Sequence, residues 1–197
     1  MRVQLHETQS LADHARLIAQ QVDASIMDPE TRKLAVALAS GTYGWVNLPD
    51  GRGRVVATPA VPYHNRVYRV VPKQCPARDD MCAVANVWNF LVLNVRYTGD
   101  IDQYDTYQDL RTTLESGGGD CDDFTIAFGA LLRSLGFEVA QKIISIDGQY
   151  WAHVYPCVQV GERWIALDAT EDGKKMGWEF GRAKKAVAYP LTLMGGG

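Results

Sequence analysis

Three residues have the types and the order that nucleophilic attack on a carbonyl requires: Cys121, His153 and Asp168. Cys121 follows Gly117-Gly118-Gly119-Asp120 and opens an apolar run that reads as a helix. Unpaired N–H groups and the helix dipole at such a start favour a thiolate. The glycines keep side-chain bulk away from the sulfur, and the run reads as a flexible hinge. The Cys121 N–H is a ready donor for an oxyanion. Asp120, Asp122 and Asp123 work against the thiolate, so an imidazole nearby is required. Of the four histidines, His6 and His14 fall in the N-terminal helical region and His64 in an irregular stretch. His153 lies on a strand expected to pack against the Cys121 helix, where Trp151, His153, Tyr155 and Cys157 share a face by the period of two. The following strand ends in Asp168, a carboxylate that would hold the imidazole in one tautomer. An active thiol of this kind predicts alkylation of Cys121 well below neutral pH, ahead of the other cysteines.

The plainer readings set the limits. Asp120, Asp122 and Asp123 resemble a hard-cation cluster, but acids at a helix start are ordinarily caps, so no metal is assigned. Cys157 sits mid-strand and reads as packing. Cys75 and Cys82 read as packing thiols or a local disulfide. Trp88 and Tyr97 each offer a hydrogen-bond donor as second oxyanion group, and both also fit a core.

These residues need elements to position them. Thr8–Ile26 has apolar residues at helical spacing, and Asp28-Pro29 opens a second helix that stops near Gly41. From Thr42 to Pro72 the texture is Gly-, Pro- and Asn-punctuated, with β-rich runs at Arg54–Thr58 and Arg66–Val71. A third helix runs from Asp80 to about Val95, and a fourth is capped by Asp105 or Thr106. The Cys121–Ser134 helix is apolar nearly all round and so central. Strands follow at Val139–Ile146, Trp151–Val160, Arg163–Asp168 and Ala186–Leu191. Helices first, then an antiparallel sheet, is an α+β pattern. The organisation expected is an N-terminal extension over 1–79, a core over 80–191 and a disordered tail over 192–197.

Composition narrows the function classes. The 197 residues fit one domain with an extension, 47% are apolar, and the formal net charge is −3. Scattered Lys and Arg give no surface for nucleic acid. No apolar run suits a signal peptide or a membrane span, so the expected location is cytoplasmic.

The motifs Gly118-Gly119-Asp120-Cys121-Asp122-Asp123, Ala152-His153-Val154-Tyr155 and Trp164-Ile165-Ala166-Leu167-Asp168-Ala169-Thr170, in that order, resemble the core of the transglutaminase-like superfamily. Leu131-Leu132-Arg133-Ser134-Leu135-Gly136-Phe137, Asn94-Val95-Arg96-Tyr97 and Thr113-Leu114-Glu115-Ser116-Gly117-Gly118 also match, and the resemblance spans roughly Asp80 to Phe180. It implies a papain-like fold, thioester chemistry on amides, and the roles of nucleophile, base and carboxylate for Cys121, His153 and Asp168. The Gly-Gly-Gly-Asp-Cys-Asp-Asp form, with Gly177-Trp178-Glu179, looks most like phage-encoded members, which implies host cytoplasm or virion as the setting. Bacterial and phage members often hydrolyse. Asp122 stands where animal cross-linking enzymes carry Trp, which weighs against transfer to a lysine. Ala169 replaces a frequent Pro.

The function expected is a thiol-dependent amide hydrolase or acyltransferase acting on a protein or peptide, with no cofactor. A rival is a structural or assembly component, for instance of a phage particle, with an idle triad and a protein partner docked on residues 42–72. A metal-dependent hydrolase using the Asp cluster is a further rival.

Overall fold

The computed structural model describes residues 2–4, 10–50, 52–99, 106–171 and 173–192, with only the backbone path for 2–4. The architecture is mixed α+β, with five helices among the described residues. Local chemistry accounts for the helix ends. Ser10 caps α1 (Leu11–Ile26) in a reciprocal box with Asp13. Asp28 caps α2 (Pro29–Ser40), Pro29 takes its first turn, and Gly41 closes it in the left-handed conformation. Asp79 caps α3 (Asp80–Asn94), whose first turn is tied to the preceding segment by a Cys75–Cys82 disulfide. Of the two readings for that cysteine pair, the structure takes the local disulfide.

Four strands form the main antiparallel sheet: β8 (Val139–Ser145), β9 (His153–Val160), β10 (Arg163–Ala166) and β11 (Lys185–Pro190), in the order β10-β9-β8-β11. Helix α5 (Cys121–Ser134) lies against it, and Ile126, Ala127, Phe128, Ala130, Leu131 and Leu132 are wholly buried. One hydrophobic core joins this helix to Ile18 and Val22 of α1, Leu34 and Leu38 of α2, and Val139, Val154 and Val158 of the sheet. The segment before Asp80 therefore shares the core with the segment after it. A smaller cluster on the sheet's other face holds Ile144, Tyr155, Cys157 and Ala166.

Gly129 shows how closely α1 and α5 meet. A Cβ there would lie 2.9 Å from both Val22 and Leu191. Gly129→Val overfills that contact and is expected to destabilise the fold by about 1–3 kcal/mol. The check is a lower denaturant midpoint at unchanged slope.

Three expectations are corrected. Residues 42–72 hold three strands, not two: β2 (Gly44–Pro49), β3 (Val55–Tyr63) and β4 (Arg66–Arg69), in that order in their sheet. Val61, Tyr63 and Tyr68 bury one end of this arm in the core, while Val55 stays exposed at the other end and Trp45, opposite Pro59, is exposed midway. The cap of α4 (Leu110–Ser116) is Asp109, not Asp105 or Thr106. Thr106–Gln108 instead forms β6 and pairs with β1 (Arg2–Gln4), and Asp105 lies outside the described residues. The glycines before Cys121 are no hinge. Gly117 is the left-handed C-cap of α4, and Gly118–Gly119 forms β7, parallel to β5 (Arg96–Tyr97). Residues 193–197 of the expected tail lie outside the described residues, as do Thr8 and Gln9 of the first helix. No described helix is long and apolar enough to cross a membrane.

Candidate active site

Cys121 is the first residue of α5, and Asp120 is its N-cap. The Asp120 carboxylate accepts the N–H groups of Asp122 and Asp123, and Asp123 reaches back to the N–H of Asp120. That leaves the Cys121 N–H without a partner among the described residues, which suits it to receive charge on a substrate oxygen. Two of the three acids are therefore the two halves of a helix cap. Asp123 also accepts from the backbone and side-chain amides of Gln108, which ties β6 to the first turn of α5. Gly119 must be glycine for this, because a Cβ there would stand 2.6 Å from the Cβ of Asp123. The glycine run thus serves the cap and the strand packing around the thiol.

His153 is the first residue of β9, and Val154, the next, turns its side chain into the core against α5. Asp168 lies two residues past the end of β10, on the same sheet face as His153 and Tyr155 by continuation of the β9–β10 register. His153 Nε2–H donates to Asp168 Oδ2 at 2.8 Å. The carboxylate can only accept, so this bond fixes the proton of a neutral ring on Nε2 and leaves the lone pair on Nδ1. Nδ1 has no hydrogen-bond partner among the described residues.

Asp168 is 1% exposed. Burial raises its pKa, but the bond and charge of His153 and the bonds from Thr170 outweigh burial and hold the carboxyl below its usual range. Thr170 is the site residue that sequence reading quoted within a motif but gave no role. Its hydroxyl donates to Asp168 Oδ1 at 2.7 Å, and its N–H donates to the same oxygen at 3.3 Å. The available signal was the Asp-x-Thr spacing, which favours such a turn. Thr170→Val removes the hydroxyl at nearly constant volume. A charge-assisted bond is worth about 1.5–3 kcal/mol, so kcat for amide turnover is expected to fall about tenfold or more with KM little changed, read from steady-state rates.

Cys121 and His153 line one cavity of about 390 Å³, shared with Asp122, Val154, Trp151 and residues of α1. Cys121 as a residue is half-buried. Burial is the main influence raising its pKa, and Asp122 and Asp120 raise it further, against the N–H groups of Val154 and Asp122. These influences run against the expected ionisation well below neutral pH. The helix start is outweighed by desolvation and two carboxylates.

The two oxyanion candidates are not brought to this cavity. Trp88 stacks on Phe128 in the core, with ring centroids 5.6 Å apart. Tyr97 is 52% exposed on β5, and neither lines the cavity. Cys157 is buried in the smaller cluster beside Tyr155 and does not line the cavity, and burial pushes its thiol up to about 12.

The chain belongs to the transglutaminase-like superfamily, whose family model matches residues 69–169, just over half of its length. The match takes in Cys121, His153 and Asp168. It takes in α3 and reaches back to Arg69, the last residue of β4, beyond the Asp80 boundary expected from motifs alone. Comparison with curated proteins found no match. The family implies cysteine-dependent chemistry on amides.

Proposed function

We propose that this chain is a thiol-dependent amide hydrolase working through a thioester, with Cys121 as nucleophile, His153 as base and Asp168 as the group that orients the base. The reading agrees with the papain-like arrangement expected of a cysteine helix packed on an antiparallel sheet. The observation that carries it is the 2.8 Å bond from His153 Nε2 to a buried Asp168, beside a cavity that the ring shares with a helix-start thiol.

In this reading Cys121 rests as a thiol, in line with the influences that raise its pKa. Nδ1 of His153 takes the Cys121 proton as the Sγ–carbon bond forms, so no free thiolate is stored in the resting site. The imidazolium is stabilised by Asp168, and the oxyanion is received by the Cys121 N–H. Nδ1–H then protonates the leaving amine as the carbon–nitrogen bond breaks. Water, deprotonated by the same nitrogen, attacks the thioester, and the departing sulfur recovers its proton. Asp122 stands where animal cross-linking enzymes carry Trp, which supports hydrolysis over transfer.

The test is incubation with a mixed library of peptide amides, an acid quench, and intact mass analysis. An acyl mass on Cys121, absent from Cys121→Ser, is the expected result. Amide cleavage that persists in Cys121→Ser and stops with a chelator would point to metal chemistry instead.

The neutral thiol makes its own prediction. Iodoacetamide labelling of Cys121 should climb about tenfold per pH unit across the neutral and mildly alkaline range, because reagent reacts only with the minor thiolate. A rate plateau below neutral pH would instead reveal a standing thiolate–imidazolium pair.

A further inference from the structure

The family match begins at residue 69, yet one wall of the cavity comes from α1, far upstream. Leu11, His14 and Ile18 stand on that helix and line the space above Cys121. Their spacing puts all three on one helical face. The wall is built in. Ile18 and Val22 are buried in the common core. Val22 meets Gly129 of α5 at the close approach described above. The His14 ring nitrogen Nδ1 and the hydroxyl of fully buried Tyr107 are hydrogen-bonded at 2.6 Å. So α1 is held at both the cavity and the core, and its face toward the thiol is preformed. Ile143 and Trp151 add further apolar lining. Asp122 is the carboxylate among the lining residues. The volume of about 390 Å³ falls within the usual range for small-ligand pockets.

We infer that this cavity selects the acyl group: the preferred amide carries a bulky apolar side chain beside the carbonyl under attack, seated among Leu11, Ile18, Ile143 and Trp151. This rests on the thiol reading given above. An acidic side chain is excluded twice. It would lose water against apolar walls, and it would meet Asp122 beside the sulfur. Glycine in the same place leaves that lining unfilled. The helix that supplies half of the subsite belongs to the part of the chain outside the family match, so this preference is a property of this chain's own N-terminal segment.

The probe is a series of peptidyl chloromethyl ketones that differ only in the residue bearing the ketone: Phe, Leu, Gly or Glu. Second-order rates of mass addition to Cys121 are measured on the full chain by intact mass and peptide mapping. Phe and Leu are expected to react about tenfold or more faster than Gly, a difference of the size apolar pockets achieve, with Glu slowest. Leu11→Asp, checked for native circular dichroism, is expected to shrink the ratio of Leu to Glu reagent by a similar factor. Equal rates across the series, or Glu fastest, with Cys121 still the labelled residue, would overturn the acyl preference and leave the thiol chemistry standing. Labelling that falls on Cys157 as readily as on Cys121 would overturn both.

Discussion

Cys121→Ala is expected to leave the chain folded and to lower amide turnover by roughly four orders of magnitude or more, the range found when a covalent nucleophile is removed. The fold should survive because the residue is half-buried at a helix start, and the cap around it is made by Asp120 and Asp123, not by the sulfur. Rates are to be measured on whichever amide the thioester capture identifies, with thermal denaturation as the control for folding. The same substitution combined with His153→Ala should cost no more than either alone, since the two groups act as a unit. Cys121→Ala retaining a tenth of wild-type turnover would sink the nucleophile assignment and favour the idle-triad reading.

Asp168→Asn is the second large effect, and the geometry gives its cause. Oδ1 of Asp168 accepts both donors of Thr170, while Oδ2 accepts from His153 Nε2–H. In the amide, the carbonyl oxygen must stay with Thr170, because two donors face it. The NH₂ group then faces Nε2 and can only donate. The ring answers by moving its proton to Nδ1, the nitrogen that has to be a lone pair if it is to take the thiol proton. A loss of about 10³–10⁴ in kcat is expected, comparable to known tautomer errors in triads, with intact-mass labelling by iodoacetamide little affected. A stability effect accompanies it. The Asp168 carboxyl is held below its usual range, so its ionised form stabilises the native state above the ordinary carboxylate pKa of about 4. That contribution fades as pH falls through the lower native value. The asparagine variant lacks it, and its Tm should therefore depend less steeply on pH in the acid range.

Much of this fold was legible before any coordinates. The Asp28-Pro29 start and the Gly41 stop of α2 were readable because caps are local chemistry: a short carboxylate, a fixed φ and a missing Cβ act over four residues. The bounds of α5, and those of the four main strands to within two residues, followed from periodicity that burial imposes on each element. What failed did so where pairing depends on distant chain. Thr106–Gln108 looked like the start of a helix until β1 claimed it as a partner. Gly44–Pro49 has too many turn-forming residues to announce a strand, and becomes one by lying against β3.

The candidate site divides along the same line. Residue types and motif order marked Cys121, His153 and Asp168, because each role requires a particular functional group and few residues supply it. The amino-acid sequence alone thus determined the chemistry available: one helix-start thiol, one strand imidazole, one carboxylate and the acids that oppose ionisation. Tertiary packing decided how that chemistry is set. It buried Cys121 so that its thiol pKa is raised, chose Nε2 as the nitrogen bound to Asp168, sent Trp88 into the core and brought α1 over the thiol as a wall. Protonation, tautomer and pocket shape are all set by dielectric and contact among groups far apart in the chain, and those arise only when the helices and sheet close on one another.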